Sequence, residues 1–511
     1  MQWRGISVFS LAAMVLAVLM LLPAAAALYE DDMPVAAAFG QWAALIALAA
    51  TGLAFGRYRM APRAVARGEI LTVIACFVAL PLAAAAPVAQ ALPGLTLERA
   101  YFEMVATLTT TGLTTIDDLG ALSTALHLWR AATAWFGGFI ALTAAAAVFG
   151  PRNLGGYEVQ IEQRAGTVGR LAGLPEWAMT RDRLSAERRL AQALRAIGPS
   201  YALLTLVLAL AFLSAGVAPL TAVVQAAGVM ATCGLTMGEG GFRGGMTVEL
   251  LALIFMVFAA TRHSFGRGGL LIRAQRFRGD PELDLAAFTI AVAAGWVLLR
   301  GLSEVALGLI GARFLTGLEA VWAAVFTTAS FLSTTGYVSD FWQVSHDRVG
   351  LDPPGMLLMA LAAMGGGVAS TAGSVKLLRS FALFQHGMAE MHQLGHPSAV
   401  SARGEGPRRV GFAGAMLAWL FLMLFLLAIG VTALALSLGG AALDTSLAAA
   451  IAANTNTGAV YATASGAEAP SLASFSATDR LVLCAAMILG RVEVLAVVAL
   501  ANPAYWRCAA I

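Results

Sequence analysis

The stretches Thr110-Thr111-Gly112, Thr232-Cys233-Gly234, Thr334-Thr335-Gly336 and Asn456-Thr457-Gly458 each end in a hydroxyl or thiol residue followed by glycine. Their glycines lie 122, 102 and 122 residues apart, and each follows a short apolar segment. The recurrence reads as one unit used four times. Four glycine-ended loops that present backbone carbonyls at membrane depth are what a single chain needs to build the ring of an ion pore.

In the first copy the segment before the corner runs from Leu97 to Leu108, between longer apolar runs at about Glu69 to Gln90 and Leu122 to Phe149. About 12 residues of helix are too short to cross a hydrocarbon core of about 30 Å. The segment reads as a pore helix that enters and returns, its non-helical end buried in protein or facing water. The same order recurs in blocks at roughly 67–150, 190–275, 283–396 and 409–505, after two opening helices at roughly 6–28 and 35–56. The chain thus divides into an N-terminal helix pair with a basic linker (1–66) and four repeats at 67–189, 190–282, 283–408 and 409–511.

Of 511 residues, 59% are hydrophobic and 12% charged, too little polar surface for a soluble protein. The expected fold class is all-α and integral to the membrane: four pseudo-symmetric helix, pore loop, helix repeats around one pore, plus two N-terminal helices. The run from Ile6 to Leu28 exceeds the usual signal-peptide core of about 7–15 residues, so it reads as a retained helix. Cys76, Cys233, Cys484 and Cys508 lie far apart, without metal-binding spacing, and imply no disulfide framework.

The linkers at 57–69, 151–198, 262–280 and 376–409 hold most of the arginines, among them Arg57, Arg59, Arg63, Arg67, Arg181, Arg183, Arg188, Arg189, Arg273, Arg276 and Arg278. The opposite linkers carry Glu30, Asp31, Asp32, Asp117, Asp118, Glu239, Asp340, Asp347, Asp352 and Glu468. The positive-inside rule then places the arginine linkers and both termini in the cytoplasm and all four corners outside, with ten spanning helices. Asp117, Asp118, Glu239 and Asp340 follow corner glycines closely, and form either an outer vestibule that concentrates cations or a solvated rim.

The last helix of the third repeat is interrupted by Met364-Gly365-Gly366-Gly367-Val368-Ala369-Ser370-Thr371-Ala372-Gly373-Ser374-Val375-Lys376. Glycine costs a helix interior roughly 1 kcal/mol relative to alanine, so this run breaks the span. A flexible break next to a filter is a place for a gate, and Lys376, the sole lysine of the chain, brings positive charge to it. Arg491 and Glu493 sit inside the apolar run from Leu481 to Leu500, where charges face partners or water. Arg491 is a candidate electrostatic barrier; the blander alternative pairs it with Glu493 or with helix carbonyls. Gate candidates are therefore Gly365, Gly366, Gly367, Ser370, Thr371, Gly373, Lys376 and Arg491. His392 and His396 have metal-like spacing without the acidic residue of a zinc motif. No nucleotide-binding motif is evident, so nucleotide control would come from another chain.

These residues resemble the Trk/Ktr/HKT superfamily of potassium transporters, and most closely its TrkH type. The carriers are Thr109-Thr110-Thr111-Gly112, Ser333-Thr334-Thr335-Gly336-Tyr337, Leu128-Trp129-Arg130, Trp135-Phe136-Gly137-Gly138, the stretch from Ser370 to Lys376, and Gly490-Arg491-Val492-Glu493. The resemblance implies potassium coordination by filter carbonyls around Gly112, Gly234, Gly336 and Gly458. It further implies an intramembrane loop at about Gly365 to Ser374, a pore arginine at Arg491, a dimer, and a cytoplasmic regulatory ring of nucleotide-binding subunits of the TrkA type. Glycine at all four corners favours potassium, since plant relatives that carry sodium often have serine at the first. The chain departs from the pattern at Cys233, at Ala459-Val460, and at Ala369 and Ser374 in the loop.

The expected function is potassium uptake across the cytoplasmic membrane, with potassium as cargo and no cofactor. Alternatives are a sodium-permeable or weakly selective transporter and a membrane-embedded enzyme, for which paired ionisable residues at one depth would be needed.

Overall fold

The computed structural model describes residues 8–58, 66–150, 161–162, 186–238, 242, 244–261, 280–306, 314–342, 354–368, 370–396, 409–410, 412–465 and 470–501. Arg59, Arg63, Arg181, Arg183, Arg273, Arg276, Arg278, Glu239, Asp347, Asp352, Ala369, Glu468 and Cys508 lie outside these residues.

Helices α1 (Val8–Leu19) and α2 (Leu21–Tyr29) lead through Asp31 to α3 (Met33–Tyr58). The first repeat is α4 (Ala66–Ala91), α5 (Leu97–Leu108) and α6 (Thr124–Ala144), the last prolonged by a π-helical turn at Ala145–Phe149. β1 (Ile161–Glu162) follows, and the second repeat is α7 (Ala186–Ser214), α8 (Pro219–Ala231) and α9 (Gly245–Ala259). In the third, α10 (Pro281–Ala306) and α11 (Phe314–Leu332) precede a helix split into α12 (Gly355–Met364) and α13 (Leu377–Gly395). After β2 (Arg409–Val410), the fourth comprises α14 (Phe412–Leu438), α15 (Leu443–Thr455), α16 (Ala459–Ser465), and a helix split into α17 (Ala477–Val492) and α18 (Val494–Ala501). Apart from the two-residue antiparallel pair of β1 with β2, the named elements are helical, and the fold class is all-α.

Seven helices among the described residues are long and apolar enough to cross a membrane: α1 with α2, α3, α4, α6 with its π turn, α7, α10 and α14. The three further spans expected from the sequence are shorter or broken. α9 has 15 residues, roughly 22 Å of helix. The closing helix of the third repeat breaks at Gly365, φ +74, as its glycine run predicts. That of the fourth breaks at Glu493, φ +72, inside a stretch whose apolar character gave no sign of it. A buried carboxylate needs a partner, and Glu493 finds one in Arg379 at 3.0 Å.

The half-length helices have clear starts. The hydroxyl of Thr96 caps α5 by accepting the N–H of Arg99 at 3.3 Å, and Pro219 opens α8. Small residues then let the spanning helices press against the ends of the pore helices. A Cβ on Gly137 of α6 would run into the carbonyl of Leu108, one on Gly138 would stand 3.0 Å from the Cα of Ala231, and one on Gly490 of α17 would strike the carbonyl of Asn454. Aromatic contacts seat the flanking helices: Trp129 is buried edge-on to Phe39, ring centroids 5.5 Å apart, and Trp135 donates to Thr205 at 2.9 Å. Arg189 of α7 bonds Glu69 of α4 at 2.8 Å.

Candidate functional site

The helices before the four corners end alike, although α11, at 19 residues, is longer than α5, α8 and α15 at 12, 13 and 13. Thr110, Thr232, Thr334 and Asn456, each two residues before a corner glycine, have φ of +59, +52, +59 and +54. The following residue donates its N–H five positions back: Thr111 to Ala106 at 2.8 Å, Cys233 to Gly228 at 2.8 Å, Thr335 to Ser330 at 2.9 Å and Thr457 to Ala452 at 3.0 Å. This is a Schellman ending with a non-glycine residue in the left-handed position. For threonine, whose branched Cβ disfavours that region, the strain is about 1–3 kcal/mol per residue and persists only where the surroundings impose it.

The corners meet in cyclic order. A Cβ on Gly112 would face the sulfur of Cys233 at 3.5 Å, one on Gly234 the carbonyl oxygen of Thr335 at 2.6 Å, one on Gly336 the methyl of Ala459 at 3.0 Å, and one on Gly458 the carbonyl oxygen of Thr111 at 2.6 Å. Each corner therefore abuts the next and the fourth returns to the first. The geometry also refines why glycine stands there. Gly112 and Gly336 have φ of +77 and +80 and need glycine's freedom. Gly234 and Gly458 are absent from the left-handed set, and what a side chain would meet there is the backbone of the neighbouring corner.

The interrupted stretch lies against this ring. The N–H of Gly373 donates to Oγ1 of Thr334 at 3.0 Å, and a Cβ on Gly373 would meet the carbonyl of Thr455. Gly367 N–H donates to the Ala260 carbonyl at 3.0 Å, Val368 N–H to Glu282 at 3.0 Å, and Thr371 Oγ1 to the Ala259 carbonyl at 3.3 Å. Ser370 turns back on the Gly367 carbonyl at 2.6 Å, and Gly366 packs toward Ala372 and Ala260. Lys376, φ +82, donates through Nζ to the carbonyl of Ala372. Arg491 reaches the loop too: Nη1 donates to the Thr371 carbonyl at 2.6 Å, while Nε and Nη2 have no protein partner among the described residues.

Of the two pairings open to Arg491 in the sequence, Glu493 is not the partner. Glu493 instead accepts from Arg379, a fully buried residue whose guanidinium lies 3.7 Å from the ring centroid of Phe421. The outer acids are less uniform than expected. Asp117 and Asp118 are exposed; Asp117 accepts from Ser471, and Asp118 accepts the N–H of Gly120 at 2.9 Å within its own turn. Asp340 is half-buried.

Sequence reasoning missed Glu103 and Glu249, buried carboxylates that bind the chain just after the first and third corners. An acid inside a pore helix or a membrane helix is itself the signal that would have found them. Cys76, Cys233 and Cys484 are buried free thiols.

Residues 318–507 match the TrkH family model, described as cation transport protein. The chain is 28% identical to the Trk system potassium uptake protein TrkH of Halomonas elongata, over 92% of this chain and 93% of the relative. It is 27% identical to TrkH of Escherichia coli K12, over 81% of this chain and 80% of the relative. The crystal structure of the potassium transporter TrkH from Vibrio parahaemolyticus superposes with a TM-score of 0.80 at 23% identity, over 99% of this chain and 100% of that one.

Proposed function

We propose that the chain is a cation transporter of the TrkH type, like the potassium uptake proteins it resembles, and that it takes up potassium through the ring of four corners. The carrying observation is the cyclic contact of Gly112, Gly234, Gly336 and Gly458, each behind an identical left-handed turn. Cations shed water at this ring, where carbonyl dipoles from Thr110, Thr111, Thr232, Cys233, Thr334, Thr335, Asn456 and Thr457 take the place of the hydration shell. Glycine at all four corners supports potassium over sodium, and the potassium named for the relatives points the same way.

The loop from Gly365 to Lys376, with Arg491 on its Thr371 carbonyl, acts as the gate beside the filter. Asp117, Asp118 and Asp340, which follow their corner glycines closely, act as an outer vestibule that gathers cations. The protein lies in the cytoplasmic membrane as a homodimer, with both termini and the arginine linkers in the cytoplasm, where a nucleotide-binding subunit of the TrkA type regulates it. The test is expression in a cell lacking potassium uptake. Growth in low potassium, with rubidium influx exceeding sodium influx, is the expected result; growth that survives replacement of all four corner glycines by bulky residues overturns the reading.

A further inference from the structure

We infer that Glu103 and Glu249 are positioning residues for ion selection: each buried carboxylate fixes the backbone leaving a corner glycine, and with it the direction of that corner's carbonyls. The inference rests on reading the corners as a potassium filter.

Glu103 lies in α5 and is 1% exposed. Its Oε1 accepts the N–H of Thr115 at 2.5 Å and the hydroxyls of Thr114 and Thr115 at 3.0 Å each, while Arg130 Nε stands 4.0 Å from Oε2. Glu249 lies in α9 and is fully buried. It accepts the hydroxyl of Ser339 at 2.8 Å, the N–H of Asp340 at 2.8 Å and the indole N–H of Trp322 at 2.6 Å. Thr115 and Ser339 are each the third residue after their glycine. Two carboxylates from different kinds of helix thus arrive at equivalent points of two repeats.

Simple conservation of a repeat does not produce this. The residues nine before the corner glycines are Glu103, Gln225, Thr327 and Ala449, so only the first repeat has an acid there. In the third repeat Thr327 accepts the N–H of Ser339 at 3.3 Å, and a carboxylate still reaches that arm from the preceding repeat. The two arms so tethered are those that leave Gly112 and Gly336, the left-handed glycines. A chain leaving such a glycine has little intrinsic direction of its own. The other two arms are held differently: Thr236 accepts from Arg130 at 3.4 Å, and Gly458 runs straight into α16.

Selection by carbonyls depends on how many point inward and how firmly, and a supporting shell must hold such groups within about 0.5 Å. A carboxylate with three donors is a stiff tether because charge-assisted hydrogen bonds are the strong ones. It is buried, where an unpartnered charge would be costly.

The test compares Glu103→Gln and Glu249→Gln, which keep shape and lose charge, in a cell lacking potassium uptake. Initial rubidium and sodium influx are measured against the amount of protein in the membrane. The ratio of rubidium to sodium influx is expected to fall about tenfold, the scale of one charge-assisted hydrogen bond, with KM for rubidium rising. Glu69→Gln, in the bridge to Arg189 at the far end of α4, leaves the ratio unchanged. Influx that falls only in step with protein amount, at unchanged ratio, overturns the inference. Where a glutamine variant fails to reach the membrane, Thr115→Val and Ser339→Ala probe the same tethers with the carboxylates in place; an unchanged ratio in both also overturns it. A wild-type chain that passes sodium as fast as rubidium sinks the potassium reading itself, whereas a selective wild type with equally selective variants sinks this inference alone.

Discussion

The N–H of Gly458 donates to the carbonyl of Thr111 at 2.6 Å, joining the last repeat to the first. A ring built from one chain has a seam where its ends meet, and this bond lies on it. The same seam is held further out by Arg480 of α17, which grips Glu98 of α5 through two bonds of 2.7 and 2.9 Å. Elsewhere a closing helix also reaches the next repeat: Arg130 of α6 to Thr236, and Glu249 of α9 to Ser339. Contacts of this kind make the order of repeats around the axis the order along the chain.

Alanine at Gly234 or Gly458 is expected to abolish selective uptake. Its Cβ would stand 2.6 Å from the neighbouring carbonyl oxygen, Thr335 or Thr111, and the obstacle is backbone within the ring. A displacement of about 1 Å at a positioned group costs on the order of a hundredfold in rate where geometry governs the step. Rubidium influx per transporter, with membrane abundance measured alongside, checks this; influx within twofold of wild type would contradict the steric account.

Serine at Gly112 or Gly336 is expected to act differently. At Gly112 the nearest atom to a new Cβ is 3.5 Å away; at Gly336 it is the Ala459 side-chain methyl at 3.0 Å, which must give by a few tenths of an ångström, and φ of +77 and +80 strains any side chain at either position. Left-handed backbone costs an ordinary residue roughly 1–2 kcal/mol, enough to shift the carbonyls without closing the ring. Sodium influx relative to rubidium should rise severalfold while total influx is largely retained.

The four corners, the half-length helices and the break at Gly365 were legible because each leaves a mark in the sequence: a repeated glycine, a segment too short to span, a run of helix-poor residues. The left-handed turn at Thr110, Thr232 and Thr334 was not, since threonine is a poor choice for that conformation and only tertiary packing imposes it. The break at Glu493 was hidden for a related reason. Its partner is Arg379, more than a hundred residues earlier, and no local pattern announces so distant a contact. The tethers at Glu103 and Glu249 were visible as acids in apolar helices, but their targets were not.

Neutralising either Arg379 or Glu493 should destabilise the protein, because the remaining charge is left buried. The pair is 3.0 Å apart with side chains 0% and 9% exposed, and breaking such a pair typically costs about 3–5 kcal/mol. The double variant Arg379→Met with Glu493→Gln should recover much of that loss, since neither charge then needs a partner. Thermal unfolding in detergent of both single variants and the double checks the coupling. Additive losses would mean that the bridge is incidental to the break between α17 and α18.

Arg491→Ala is expected to raise flux. Nη1 holds the Thr371 carbonyl at 2.6 Å, and the same loop touches the third corner through Gly373 and Thr334. Removing the guanidinium releases one restraint on the loop and, on the proposed reading, removes a cation beside the ion path. A lysine at this position keeps charge but lacks the planar fork of arginine, so it separates the two contributions. If charge is the barrier, Arg491→Lys stays near wild-type flux while Arg491→Ala rises severalfold; if the hydrogen bond to Thr371 is the restraint, both rise. Initial rubidium influx per transporter distinguishes these outcomes, and flux unchanged in both variants would remove Arg491 from the gate.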